Sequence, residues 1–183
     1  MPEIIRTIRI EAPVERVWDV LADVPRQPEW MHDLSDIRIE TPGPLAVGTR
    51  AIGTVRMFGL SQSDPIEVTV LEPPHRYAIA HLGSFVGSGE FRLRPLDDGR
   101  ATEVVWHEIL RPTPAAFPLV PRLMRLPVAG PAIGALARVA ARLSDPLFTP
   151  VFAWVFRADL RRFRDLVEGR APDSAAVRPA EPR

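Results

Sequence analysis

The sequence predicts an α+β domain in which a seven-stranded antiparallel sheet wraps around a long C-terminal helix. Between residues 35 and 110, short runs of period-two patterning alternate with turn residues. Near the C-terminus, Phe152, Phe156, Leu160, Phe163 and Val167 recur at spacings of four, four, three and four, which is one apolar helical stripe. The chain has 183 residues, 46% of them hydrophobic, enough for one domain with a substantial core.

The elements follow in order. Residues 3–10 alternate, with Ile4, Arg6, Ile8 and Ile10 on one side of a strand and Ile5, Thr7 and Arg9 on the other. Ala12-Pro13 opens a helix that groups Val14, Val17, Trp18 and Leu21. Pro13 sits where a missing N–H costs nothing, and Pro25 stops the helix near Val24. The Pro-broken segment 25–33 permits a single turn that plants Trp30 in the core. Six further strands are expected at 35–41, 48–57, 64–72, 75–82, 86–95 and 101–110, with turns at 41–44, 61–65, 72–74 and 97–99. Helices are expected at 115–126 and 130–143, and a final one at 147–168. This last helix sets its apolar stripe opposite Arg157, Arg161, Arg164 and Glu168 and stops at Gly169. Residues 1–170 therefore form one domain, with 112–145 as a helical insertion, and the polar, Pro-rich tail 171–183 is expected to be disordered.

Two stretches carry a family resemblance. IRIEAPVERVWDVLADVPRQPEWMHDLSDIRI at 8–39 and DDGRATEVVWHEIL at 97–110 resemble the opening strand and helix, and the last hairpin, of the START/polyketide cyclase-dehydrase (SRPBCC, helix-grip) superfamily. The resemblance spans residues 3–110 and 146–168, and 112–145 is longer than the usual passage between last strand and last helix. It implies the helix-grip fold and an apolar ligand, with lipids, polyketides, steroids and plant hormones among the family's ligand classes. The family has no universal catalytic motif, so the resemblance favours binding over chemistry.

Composition excludes several classes. Net charge is zero, so no global basic field recruits nucleic acid. The absence of cysteine removes disulfides, thiolate nucleophiles and cysteine metal sites, and agrees with a reducing cytoplasm. All 23 basic residues are arginine, which excludes a lysine Schiff base. The start MPEIIRTIRIEAP has no leader pattern, so the mature chain is expected to begin there and to be cytoplasmic. His32, His75, His81 and His107 lack metal-ligand spacing. There is no GxSxG elbow and no Walker or Rossmann glycine pattern, so no metal or cofactor is implied.

A curved sheet cannot lie flush on one helix, and the mismatch is expected to leave a cavity. Its expected lining is Trp30, Phe91, Leu93, Val104, Trp106, Glu108, Phe152 and Phe156. Arg92 and Arg94 alternate with Phe91 and Leu93 and so face solvent. Thr102, Val104, Trp106, Glu108 and Leu110 share a face of the last strand. This set is more apolar than its alternative, which turns it inward and brings Glu108 towards the cavity. There a carboxylate would gain the raised pKa of a general acid or base, making Glu108 the catalytic candidate ahead of His81 and His107. Pairing with arginine at a pocket mouth is the commoner role for such a residue. Trp30 reads as a core plug or a pocket wall, burial being the commoner use of a large aromatic.

The leading functional expectation is binding or transport of a hydrophobic, lipid- or polyketide-like molecule. The alternatives are a polyketide cyclase/dehydratase using the same pocket and a protein-interaction module of the cochaperone type. Residues 109–144 carry five arginines, no acid and several large apolar residues. Their longest uncharged run, 126–137, falls well short of the roughly 20 residues that span a bilayer. The insertion is expected to cover the pocket mouth, with a peripheral contact to an anionic membrane as the alternative.

Overall fold

The computed structural model describes residues 3–57, 60–113 and 153–170. The helices expected at 115–126 and 130–143, the lid or membrane role of the insertion, Phe152 and the 171–183 tail lie outside them.

Strand β1 (Glu3–Ile10) leads into helix α1 (Val14–Ala22) and a 3-10 turn (Val24–Glu29). Six strands follow: β2 (Leu34–Ile39), β3 (Arg50–Met57), β4 (Leu60–Glu72), β5 (Arg76–Leu82), β6 (Phe85–Leu96) and β7 (Ala101–Pro112). Helix α2 occupies residues 153–168. All pairings are antiparallel, and the spatial order is β1-β7-β6-β5-β4-β3-β2. The two edge strands, β1 and β2, are consecutive in sequence, so α1 and the 3-10 turn must carry the chain from one edge to the other. In doing so α1 packs on β6 and β7.

Pro13 precedes α1, whose buried residues are the expected Val14, Val17, Trp18 and Leu21. The 3-10 turn delivers Trp30, which is 0% exposed. Helix α2 buries Phe156, Leu160, Phe163 and Val167 against the same core. Its end is a left-handed cap. Gly169 has φ +71°, its N–H donates to Leu166 O, and the Arg170 N–H donates to Asp165 O.

One turn is misplaced by the sequence reading. Residues 61–65 lie within β4, and β3 and β4 pair down to Met57 and Leu60. The polar run and Pro65 look like a turn, but at Pro65 the strand pairs with β3 alone, because pairing with β5 begins at Ile66. A proline without an N–H is tolerated where a ladder is one-sided.

Candidate functional site

The site is built on β5, β6 and β7. Along β7, Thr102, Val104, Trp106 and Glu108 are buried, and Glu108 is 4% exposed. Register places Ile79, Gly89 and Glu108 side by side across the three strands, with His81, Gly87 and Leu110 as the next inward row.

Each of these two rows holds one glycine of β6, and the glycines decide the geometry. β5 and β7 are separated by β6, about 10 Å backbone to backbone for two strand spacings. A side chain at 89 would stand between them. With glycine there, His81 Nε2 reaches Glu108 Oε1 at 2.8 Å. A β-carbon on Gly89 would come within 2.6 Å of Glu108 Oε2. At Gly87 the constraint is the backbone, with φ +153° and the Ile109 carbonyl where a β-carbon would go.

Both Glu108 oxygens are engaged, since the Trp106 Nε1–H donates to Oε2 at 2.8 Å. The carboxylate is therefore held by an indole and an imidazole, and among the described residues no arginine pairs with it. His81 is the outward end of the pair, with its side chain 20% exposed. When the neutral imidazole donates from Nε2 to the carboxylate, Nδ1 is left as the acceptor.

Two further carboxyls lie close by. Burial holds Asp33 above the usual carboxylate range, against hydrogen bonds from backbone N–H groups, and the charge of Glu108 adds to the rise. Asp159 on α2 is fully buried, and burial pushes its carboxyl up to about 7. The His32 backbone N–H donates to Asp159 Oδ1 at 2.8 Å, opposing that rise, whereas the Asp33 charge adds to it. Asp159 Oδ2 and Trp30 Nε1 are buried without a hydrogen-bond partner among the described residues.

Asp33 and Asp159 are the residues that sequence reasoning passed over. Asp159 had a signal: it stands three after Phe156 and four before Phe163, a core position of the apolar stripe. Asp33 had none, being one acid in a polar loop.

The expected pocket residues are brought together, but as packed core. Trp30 meets Phe91 and Trp106 edge-on, with centroids 6.1 and 6.2 Å apart, and lies 4.8 Å from Phe163. Trp106 stacks on Phe91 at 4.8 Å and meets Phe156 at 4.4 Å. Leu93 and Val104 join the same cluster. Among the described residues, an open cavity of about 700 Å³ lies elsewhere, between β1 and α2, where Arg6, Arg157, Arg161 and Arg164 surround Ile8 and Leu160. Arg92 and Arg94 are solvent-exposed, as alternation requires. The described residues contain no cluster of His, Asp or Glu arranged to hold a metal, and no helix among them is long and apolar enough to cross a membrane.

Comparison with known proteins completes the site. The family profile described as polyketide cyclase/dehydrase and lipid transport matches residues 1–168. The chain is similar in structure to the Zhui aromatase/cyclase from Streptomyces, with 21% identity, TM-score 0.60, and coverage of 96% of this chain and 98% of that one. It is also similar to a START superfamily protein from Mycobacterium smegmatis, with 16% identity, TM-score 0.54, and coverage of 87% and 98%. A protein from Deinococcus radiodurans shows 28% identity and TM-score 0.53 over 63% of this chain and 87% of that one. No curated protein matches. The sheet order and the enclosed helix are those of the helix-grip fold.

Proposed function

Because this chain belongs to the polyketide cyclase/dehydrase and lipid-transport family, and its buried polar pair stands on the inward face of the sheet, we propose that it binds a hydrophobic small molecule whose carbonyl or hydroxyl is met at His81 and Glu108. The observation that carries this reading is the Glu108 carboxylate, 4% exposed and held at both oxygens by Trp106 and His81. A buried carboxylate is costly unless its partners are in place, and one fixed by an indole and an imidazole presents a polar point on an otherwise apolar wall. The apolar neighbours Ile79 and Leu110 supply surface for the ligand's body.

Mass spectrometry of an organic extract of the purified protein tests this, alongside titration with Nile red, an uncharged apolar dye. The expected result is a co-extracted apolar species and dye binding that a His81→Leu/Glu108→Leu double variant retains, with weaker binding of ligands bearing a carbonyl or hydroxyl. Absence of both an extracted ligand and dye binding by the parent would sink the reading.

The His81–Glu108 contact favours a second reading, a cyclase/dehydratase-type reaction. A carboxylate that fixes one imidazole nitrogen leaves the other to take a proton from carbon next to a carbonyl and return it to a departing hydroxyl. In this reading His81 moves the proton and Glu108 positions it. Deuterium exchange at the activated carbon of a β-diketone, followed by NMR, is expected to run faster with the parent than in buffer and to lose that advantage in His81→Ala. Exchange no faster than buffer with the parent rules out this chemistry.

A further inference from the structure

The groove between β1 and α2 is separate from the His81–Glu108 pair. On α2, Trp154, Arg157, Arg161 and Arg164 recur at spacings of three, four and three, forming one stripe, and Arg6 of β1 faces them across the groove. The floor between is apolar, made by Ile8, Ala153 and Leu160. Trp154 is 67% exposed at one end.

Among the described residues, Arg164 is paired with Asp165 at 2.8 Å, and the Arg6 Nε–H donates to Ala153 O at 3.3 Å. Arg157 and Arg161 are exposed and have neither an ion pair nor a side-chain hydrogen bond among those residues. Like charges four apart on a helix repel, so this pair weakens α2 unless something outside it is anionic. The surrounding sequence enlarges the imbalance. Residues 111–170 hold ten arginines and four acids, whereas residues 1–110 hold eleven arginines and seventeen acids. A chain with zero net charge thus concentrates its positive charge in the segment that contains the groove.

We propose that this groove is a docking site for the phosphate headgroups of an anionic bilayer. Guanidinium forks match phosphate oxygens in pairs, and several converging from two elements bind better than isolated surface charges. The exposed indole beside them is what selects a bilayer over a free anion or a nucleic acid. Tryptophan settles at headgroup depth, where its ring is apolar and its N–H stays wet.

The test is co-sedimentation with vesicles of phosphatidylcholine alone and of phosphatidylcholine with phosphatidylglycerol, at low and at physiological salt. The full chain is expected to bind the anionic vesicles, to release them as salt rises, and to ignore the neutral ones. Arg157→Glu/Arg161→Glu is expected to weaken binding by about tenfold or more. Arg38→Glu/Arg56→Glu makes the same charge change on β2 and β3 and is expected to bind like the parent. Trp154→Ala, which leaves every charge in place, is expected to weaken binding and abolish any change in tryptophan emission on vesicle addition. Circular dichroism of each variant confirms folding, and Arg157→Gln/Arg161→Gln gives an intermediate loss if the reversal variant fails that check. The proposal is overturned by a parent that does not bind anionic vesicles at low salt, by equal weakening in the two charge-reversal pairs, or by competition from inorganic phosphate or duplex DNA at concentrations too low to screen charge generally.

Discussion

His81 and Glu108 stand on strands that are not neighbours, yet their side chains meet at 2.8 Å over Gly89 of the strand between them. The pair therefore belongs to three strands at once. Glu108 is fixed by Trp106 on its own strand, His81 reaches it from β5, and β6 contributes by having no side chain at 89.

Gly89→Ala is expected to cost about 1–3 kcal/mol in urea denaturation, the usual range for overpacking. The added methyl would lie 2.6 Å from a carboxylate oxygen that cannot swing away without leaving both Trp106 and His81. In Gly89→Ala/Glu108→Ala the clash is gone, so the double variant should lose less than the two single losses together. Simple additivity would show that Glu108 and Gly89 do not crowd each other.

Glu108→Leu leaves the buried Trp106 N–H without an acceptor. A loss of about 1–3 kcal/mol is expected, whereas Glu108→Gln, whose amide oxygen can still accept from Trp106, should recover much of it. Thermal unfolding of the two variants side by side measures the difference. Equal losses would remove the indole hydrogen bond as the cause.

Asp159 makes stability depend on pH. Burial lifts its carboxyl from 3.8 to about 7, so the folded chain keeps a proton that the unfolded chain releases over that interval. The sign follows: the stabilisation is complete below the unfolded value and is lost as pH rises towards 7. At about 1.4 kcal/mol per unit, the loss across the interval is about 4 kcal/mol, with the opposing pull of Arg162 already contained in that value. Asp159→Asn keeps an oxygen for the His32 N–H and cannot ionise. Urea titrations should find it more stable than the parent at pH 8 and little changed at pH 4. Parallel curves from pH 4 to 8 would show that Asp159 does not titrate there.

Trp30 and Trp154 should respond oppositely to truncation. Trp30 is 0% exposed and touches three aromatic rings, so Trp30→Ala is expected to cost about 3–5 kcal/mol. Trp154 is 67% exposed, and Trp154→Ala should stay within about 0.5 kcal/mol of the parent. Calorimetry of both variants checks this. A small loss at Trp30 would mean that it lines open space rather than filling the core.

Periodicity made much of the molecule readable. The stripe of Phe156, Leu160, Phe163 and Val167 is buried on α2 because a 3.6-residue repeat fixes which side chains share a face. The alternation of β7 buried Trp106 and Glu108 together for the same kind of reason, with a repeat of two. Local chemistry was less secure. Residues 61–65 have turn composition and form strand, because pairing with β3 outweighs the preferences of the individual residues.

By itself, then, the sequence determined the order of the described strands and helices, the buried faces of α1, β7 and α2, and the family to which that order belongs. These are properties of neighbours along the chain, set by repeat, turn chemistry and proline. What the tertiary structure alone decided is which faces meet. The contact of His81 with Glu108 depends on the register of β5, β6 and β7, the crowding of Trp30, Phe91 and Trp106 on how α1 and the 3-10 turn cross the sheet, and the gathering of Arg6 with Arg157 and Arg161 on where α2 lies beside β1. Each is set by the packing of elements far apart in sequence, and no short window of residues contains it.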